Sequence, residues 1–137
     1  MAIQFPPDVG LLLLCAFEGK EPEMVKRRPV VVLSSVSTRL CNVVPLSTTD
    51  PEEQMPWHCL VNTPKPLPYP YDHKVHWLKG DMVATVGFHR LVMPHKGKDK
   101  YGNRLYVKLR LDEGQMREIR RCVAAALGIT PLDFAGK

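Results

Sequence analysis

Lys26-Arg27-Arg28-Pro29-Val30-Val31-Val32-Leu33-Ser34 runs three cations straight into a proline and then into an apolar, largely β-branched segment. Residues 30–33 are apolar without interruption, so a strand through them is apolar on both faces, as a central, doubly buried strand should be. Pro29 disfavours the helical region for the residue before it, which holds Arg28 extended at the strand's mouth. A guanidinium fixed on a rigid strand end is a good device for gripping a phosphate, because its planar fork offers paired donors. Alternatively, Lys26 to Arg28 is a solvated charge run closing a loop, and on these residues alone that is the simpler account.

Outward from this strand, the chain reads as a small β domain. Phe5-Pro6-Pro7-Asp8-Val9-Gly10 is a turn opening a first strand over residues 11–17, and a polar loop with Glu18, Glu21 and Glu23 leads to the central strand. The next strand, residues 41–46, contains Pro45, which cannot donate to a ladder and so predicts an edge or a bulge there. It ends in Ser47-Thr48-Thr49-Asp50, three hydroxyls in succession. After a short strand over 57–62, proline stands at every second position (Pro64, Pro66, Pro68, Pro70) beside Tyr69 and Tyr71. Alternating prolines preclude both helix and central strand, so residues 63–72 are expected to form a stiff, extended connector.

Residues 75–78 lead through Lys79-Gly80-Asp81 to a further strand over 82–88. A basic hairpin, residues 94–110, follows and turns around Tyr101-Gly102-Asn103. Its return arm sets Leu105, Val107, Leu109 and Leu111 on one side and Arg104, Tyr106, Lys108 and Arg110 on the other. The cationic side is either a soluble sheet face or a nucleic-acid contact. One helix is expected, over 113–127, capped by Asp112 with Gln115 placed for the reciprocal bond and stopped by Gly128. Met116, Ile119, Val123, Ala126 and Leu127 form its apolar stripe. Residues 130–137 are expected to be a loose tail. Short strands, many turns and one C-terminal helix favour a single, mainly β domain: a small, strongly bent antiparallel barrel closed by the helix.

Bulk properties narrow the function classes. The apolar run over residues 9–17 is too short to span a bilayer and no basic segment precedes it, so a cytoplasmic protein without a membrane segment is expected. Cys15, Cys41, Cys59 and Cys122 are scattered, without the clustered donors that zinc needs, and read as small buried hydrophobes in a reducing compartment. No metal or other cofactor is expected. His58, His73, His76, His89 and His95 lack metal-ligand spacing and read as structural or surface groups, with His76 the open case. Residues 95–121 hold nine Lys/Arg against four acids, which accounts for the whole formal charge of +5. A polyanionic partner follows, nucleic acid first and an acidic protein second.

Four motifs then appear in order: Pro7-Asp8-Val9-Gly10; the stretch from Lys26 to Ser34; Val43-Val44-Pro45-Leu46-Ser47-Thr48-Thr49; and Trp77-Leu78-Lys79-Gly80-Asp81-Met82-Val83-Ala84-Thr85-Val86 running on to Arg90-Leu91. In register over roughly residues 7–128, they resemble the PemK/MazF family of toxins from type II toxin–antitoxin systems. The resemblance implies an SH3-like barrel of the CcdB/PemK/MazF type and a homodimer. It also implies a metal-independent, sequence-selective endoribonuclease acting on single-stranded RNA, neutralised by a cognate antitoxin. The family's catalytic arginine before proline falls on Arg28 and its threonine on Thr48, with Thr49 the register alternative. The aspartate and basic residue of the Kid/PemK branch fall on Asp81 and Lys79.

By the same resemblance Arg28, Thr48, Asp81 and Glu23 are the candidate catalytic residues, and Lys26, Arg27, Ser47, Thr49 and Lys79 the candidate RNA-binding residues. Metal-free cleavage uses the ribose 2′-hydroxyl as nucleophile and needs a proton acceptor, a cation at the phosphate and a donor to the leaving 5′-oxygen. The chain departs from the family over residues 15–23, where Lys20 stands near the place of a histidine used by some members. The base is therefore open among Glu21, Glu23 and Asp81. Two other readings use the same barrel. A gyrase poison of the CcdB branch would rely on a C-terminal tryptophan, which residues 131–137 lack. A member that binds RNA or a partner without cutting is the other.

Overall fold

The computed structural model describes residues 2–134. The decisive stretch forms β2 (Val25–Ser35), flanked by β1 (Leu12–Glu18) and β3 (Leu40–Ser47), both antiparallel to it. Side chains alternate across a strand, and here both sides are dry. Val31 packs with Leu12, Val44 and Leu46 into one core, whereas Val30 and Val32 join Leu11, Leu13 and Val43 in a second core on the opposite face. The first core is covered by the helix α1 (Glu113–Ala126) through Met116, Ile119, Cys122 and Val123.

Outside β3 the sheet continues through β5 (Val75–Lys79) to β4 (His58–Asn62), and beyond β1 it ends at β7 (Leu91–Val92). β6 (Ala84–Gly87) adds to β3 alongside β5. β3 therefore has two outer neighbours in turn: β6 opposite residues 40–43 and β5 opposite Leu46 and Ser47. Pro45 falls in the break between them. The strand carrying it is central rather than at an edge, and the missing N–H sits where the outer ladder changes partner. Among the described residues the sheet path stays open, since β4 and β7 are separate ends, so the expected barrel is not a closed ring.

Other elements differ in detail from the sequence expectation. The strand expected over 82–88 is β6 bracketed by 3-10 turns at Gly80–Met82 and Phe88–Arg90. The basic hairpin forms a separate two-stranded sheet, β8 (His95–Lys98) with β9 (Arg104–Tyr106). Leu109 and Leu111 are buried as expected, but Leu105 is exposed, so the hairpin's tip stands away from the core. Asp112 caps α1, its carboxylate accepting from the Gln115 N–H at 2.8 Å. Gln115 does not return the bond. Its side-chain amide instead exchanges two hydrogen bonds with the backbone of Asn62, fastening the end of β4 to the helix. α1 ends at Ala126, and Gly128 follows in the left-handed region (φ 74°). Beyond it, within the tail expected to be loose, Pro131–Asp133 is a 3-10 turn capped reciprocally by Thr130 and Asp133, and residues 135–137 lie outside those described. No helix among the described residues is long and apolar enough to cross a membrane.

Candidate active site

Arg28 lies on β2 opposite Cys15, immediately before the buried Pro29. Its Nε is buried and without a hydrogen-bond partner. Beside it, β3 runs out of the sheet at Ser47, which pairs with Trp77 of β5. The turn that follows is held at two points. The Thr49 N–H donates to Ser47 Oγ at 3.1 Å, and the Trp77 indole donates to Asp50 Oδ1 at 2.7 Å. Ser47 Oγ is thus engaged within its own turn. Thr48, between the two, is exposed, and among the described residues its hydroxyl makes no hydrogen bond.

The proline-rich loop closes this end of the sheet. Leu67 is buried in the helix-side core, and the Tyr71 hydroxyl donates to the backbone carbonyl of Arg27 at 3.2 Å. The loop turns rather than running straight, with a Tyr71 N–H to Pro68 carbonyl bond. Beside it lies a cavity of about 150 Å³ to which the loop gives Pro70 and Tyr71, the rest of the lining being Arg28, Pro29, Leu46, Ser47, Thr48 and His76. Three chain-distant segments therefore meet at one pocket: the mouth of β2, the end of β3 and the start of β5.

His76 is the residue that the sequence reading did not assign. It stands two positions before the buried Leu78 on β5, so strand alternation turns both inward; that spacing was the available signal. The residue is 1% exposed, and neither Nδ1 nor Nε2 makes a hydrogen bond of good geometry, the backbone of His73 being the polar group that bears on the ring. Burial pushes the imidazole below its usual pKa range. The His73 ring stands edge-on to it, centroids 6.4 Å apart.

The remaining candidates sit elsewhere. Glu23 and Asp81 come together in a second, larger cavity of about 560 Å³ with Phe17, Gly19 and Arg90. There the Glu23 carboxylate accepts from the Lys20 N–H at 2.9 Å, and Arg90 Nε donates to the Ala16 carbonyl at 3.0 Å. Neither acid, nor Glu21, lines the Arg28 cavity. Arg27 and Lys26 are exposed on β2, Lys26 with its backbone in the left-handed region (φ 72°). Lys79 pairs with His58 at the far end of β5. The four cysteines are buried and free. Far apart in sequence, Cys59 of β4 and Cys122 of α1 nevertheless lie with Glu118 within 4.8 Å of one another, although Glu118 is already paired with Arg121.

A family model described as PemK-like, MazF-like toxin of type II toxin–antitoxin system matches residues 8–127. The uncharacterized protein YifN of Escherichia coli (strain K12) is 34% identical over 113 residues, spanning 66% of this chain and 75% of that protein. Among solved structures, an endoribonuclease from a mycobacterial species in complex with its cognate antitoxin gives a TM-score of 0.59 at 20% identity, over 90% of this chain and 97% of that one. MazF from Deinococcus radiodurans gives 0.57 at 19% identity, over 91% and 99%. At such identities the structural matches establish the shared fold.

Proposed function

The chain belongs to the PemK-like, MazF-like toxins of type II toxin–antitoxin systems, and we propose that it is an endoribonuclease cutting single-stranded RNA without a metal ion. In this reaction a ribose 2′-hydroxyl attacks the adjacent phosphate, leaving a 2′,3′-cyclic phosphate and a 5′-hydroxyl. The observation that carries the reading is the meeting of Arg28 and Thr48 at one cleft, a cation with an unpaired Nε beside a hydroxyl with no internal partner. The guanidinium would stabilise the charge gathering on the pentacoordinate phosphate, and Thr48 would donate to a non-bridging oxygen. Lys26, Arg27 and Lys79 would steer the backbone, and Ser47 and Thr49 would shape the turn that presents Thr48. Glu23 and Asp81, in the larger cavity, would act on RNA flanking the scissile bond.

The test is to map cleavage ends on a long transcribed RNA in EDTA, with wild type, Arg28→Ala and Thr48→Ala side by side. Wild type is expected to leave cyclic-phosphate ends, Arg28→Ala to lose about 10²–10³ in rate and Thr48→Ala about tenfold. A folded, antitoxin-free wild type that cuts no RNA would overturn the reading in favour of a binding module on the same fold.

Two partners belong to the same proposal. A cognate antitoxin is expected to lay an acidic, partly disordered segment over the Arg28 cleft, competing with RNA. Amide exchange around Arg28 that is equally fast in free and bound toxin would exclude competition at that place. A second copy of the chain, forming a homodimer, is expected from the family, and sedimentation of the purified toxin would check it.

A further inference from the structure

His76 is an unusual group to find where it is. A histidine buried to 1% exposure normally satisfies at least one ring nitrogen, because an unpaired buried polar atom costs stability. Here neither nitrogen makes a hydrogen bond of good geometry, only the His73 backbone bearing on the ring, and the residue lines the cavity that also holds Arg28 and Thr48. The carboxylates suggested by sequence position lie outside that cavity. We propose that His76 is the general base of the cleavage reaction, taking the proton of the attacking 2′-hydroxyl onto a ring nitrogen. This rests on the ribonuclease reading above and supplies the proton acceptor that it leaves open.

The step balances with the groups named. The 2′-oxygen bonds to phosphorus as its proton passes to the imidazole. The bond from phosphorus to the 5′-oxygen breaks, and that oxygen takes a proton from water. The imidazolium then returns its proton to solvent, restoring the neutral ring. A base must be unprotonated before substrate arrives, and burial, which disfavours the charged ring, keeps His76 in that form at neutral pH. The groups packed around it are Arg28 from β2, Tyr71 and His73 from the proline-rich loop, and Ser47 and Thr48 from the end of β3; β4 presents the uncharged Val61 opposite it. Burial and the neighbouring His73 ring oppose protonation of the free ring, and the His73 backbone favours it. A bound phosphate favours it at the moment when the proton arrives.

The experiment follows cleavage of an oligonucleotide spanning the strongest mapped site, under single-turnover conditions, from about pH 5 to pH 8. The proteins are wild type, His76→Gln, His76→Ala and Arg28→Ala, with RNA affinity measured alongside. Wild type is expected to lose rate tenfold per pH unit below an inflection under the usual histidine range. Both His76 variants are expected to lose about 10²–10⁴ in rate with affinity changed less than threefold, and to lose the acid limb. Added imidazole is expected to restore at least tenfold to His76→Ala. A purely structural histidine would show none of that rescue and would leave the acid limb in place. His76→Gln cleaving within threefold of wild type with the same pH profile would overturn the inference while leaving the ribonuclease reading intact. Wild type inactive on every RNA would overturn both.

Discussion

Arg28 shares its cavity with a hydroxyl and an imidazole because three short-range rules converge there. Proline fixes the strand mouth, a pinned turn presents Thr48, and strand alternation turns His76 inward. The guanidinium matters for its shape as well as its charge. Arg28→Lys keeps the cation but loses the planar fork, so its cleavage rate should fall nearly as far as that of Arg28→Ala, by about 10²-fold, with an unchanged melting temperature. A Lys variant within threefold of wild type would show that charge alone suffices.

A second prediction at this scale concerns the thiols. Burial pushes Cys15 and Cys41 up to about 11 and Cys59 to about 12, from an ordinary 9.0. The folded protein holds these protons more tightly than the unfolded chain. Stability from them is therefore complete below about pH 9 and lost as pH rises toward 12. Urea midpoints should be level from neutral pH to about 8.5 and then decline, with a shallower decline in Cys59→Ala. The extended strand-mouth position of Arg28 was legible in sequence because its constraint, Pro29, is its neighbour, whereas its candidacy for the site came from the family resemblance. His76 was not legible, because its cavity partners come from β2, β3 and a loop, and only its spacing from Leu78 hinted at the inward turn.

Among the elements, the 3-10 turn at Gly80–Met82 is held against α1 and against Trp57, the residue just before β4. The Gly80 N–H donates to the Trp57 carbonyl at 2.9 Å, and a Cβ at this position would stand 2.6 Å from that oxygen and 3.1 Å from the Cys122 backbone. Backbone atoms cannot swing aside as a long side chain can, so Gly80→Ala is expected to destabilise the fold by about 1–3 kcal/mol, with Lys79 and Asp81 displaced together. An unaltered urea midpoint would mean that the helix and the turn slide apart freely. The Asp112 cap is a smaller effect, and Asp112→Ala should cost about 1 kcal/mol. The helix and β1 to β3 could be read from sequence, since their patterns are local and strong. The roles of Pro45 and Gln115 could not. A proline is tolerated inside β3 because the outer neighbour changes there, and Gln115 leaves the capping-box bond for Asn62 of β4. Both depend on which strand lies alongside, and no local pattern encodes that.

At the scale of the whole molecule, two cores on opposite faces of one bent sheet leave the basic hairpin projecting from the body. Lys96, Lys98, Lys100, Arg104 and Lys108 lie on or beside it, Tyr101 is 76% exposed, and Lys100 Nζ stands 5.1 Å from that ring's centroid. The one acid of the turn, Asp99, already accepts from the N–H groups of Tyr101 and Asn103. Five of the nine cations counted over residues 95–121 therefore lie on an arm with little internal neutralisation, while Arg117, Arg120 and Arg121 belong to the helix. Each cation that meets a phosphate releases counterions, so the dependence of affinity on salt counts contacts. Neutralising Lys96, Lys98 and Lys100 together should reduce the slope of log K against log salt by about 2, at roughly 0.7 per contact on a single strand. Affinity should fall most at low salt. The rate on saturating RNA should stay within threefold, because none of the three lines the Arg28 cavity. Fluorescence anisotropy with a labelled single-stranded RNA, at several salt concentrations and with Arg28→Ala to prevent cutting, would read the slope directly. A slope identical to that of the unneutralised protein would assign the hairpin's charge to something other than RNA.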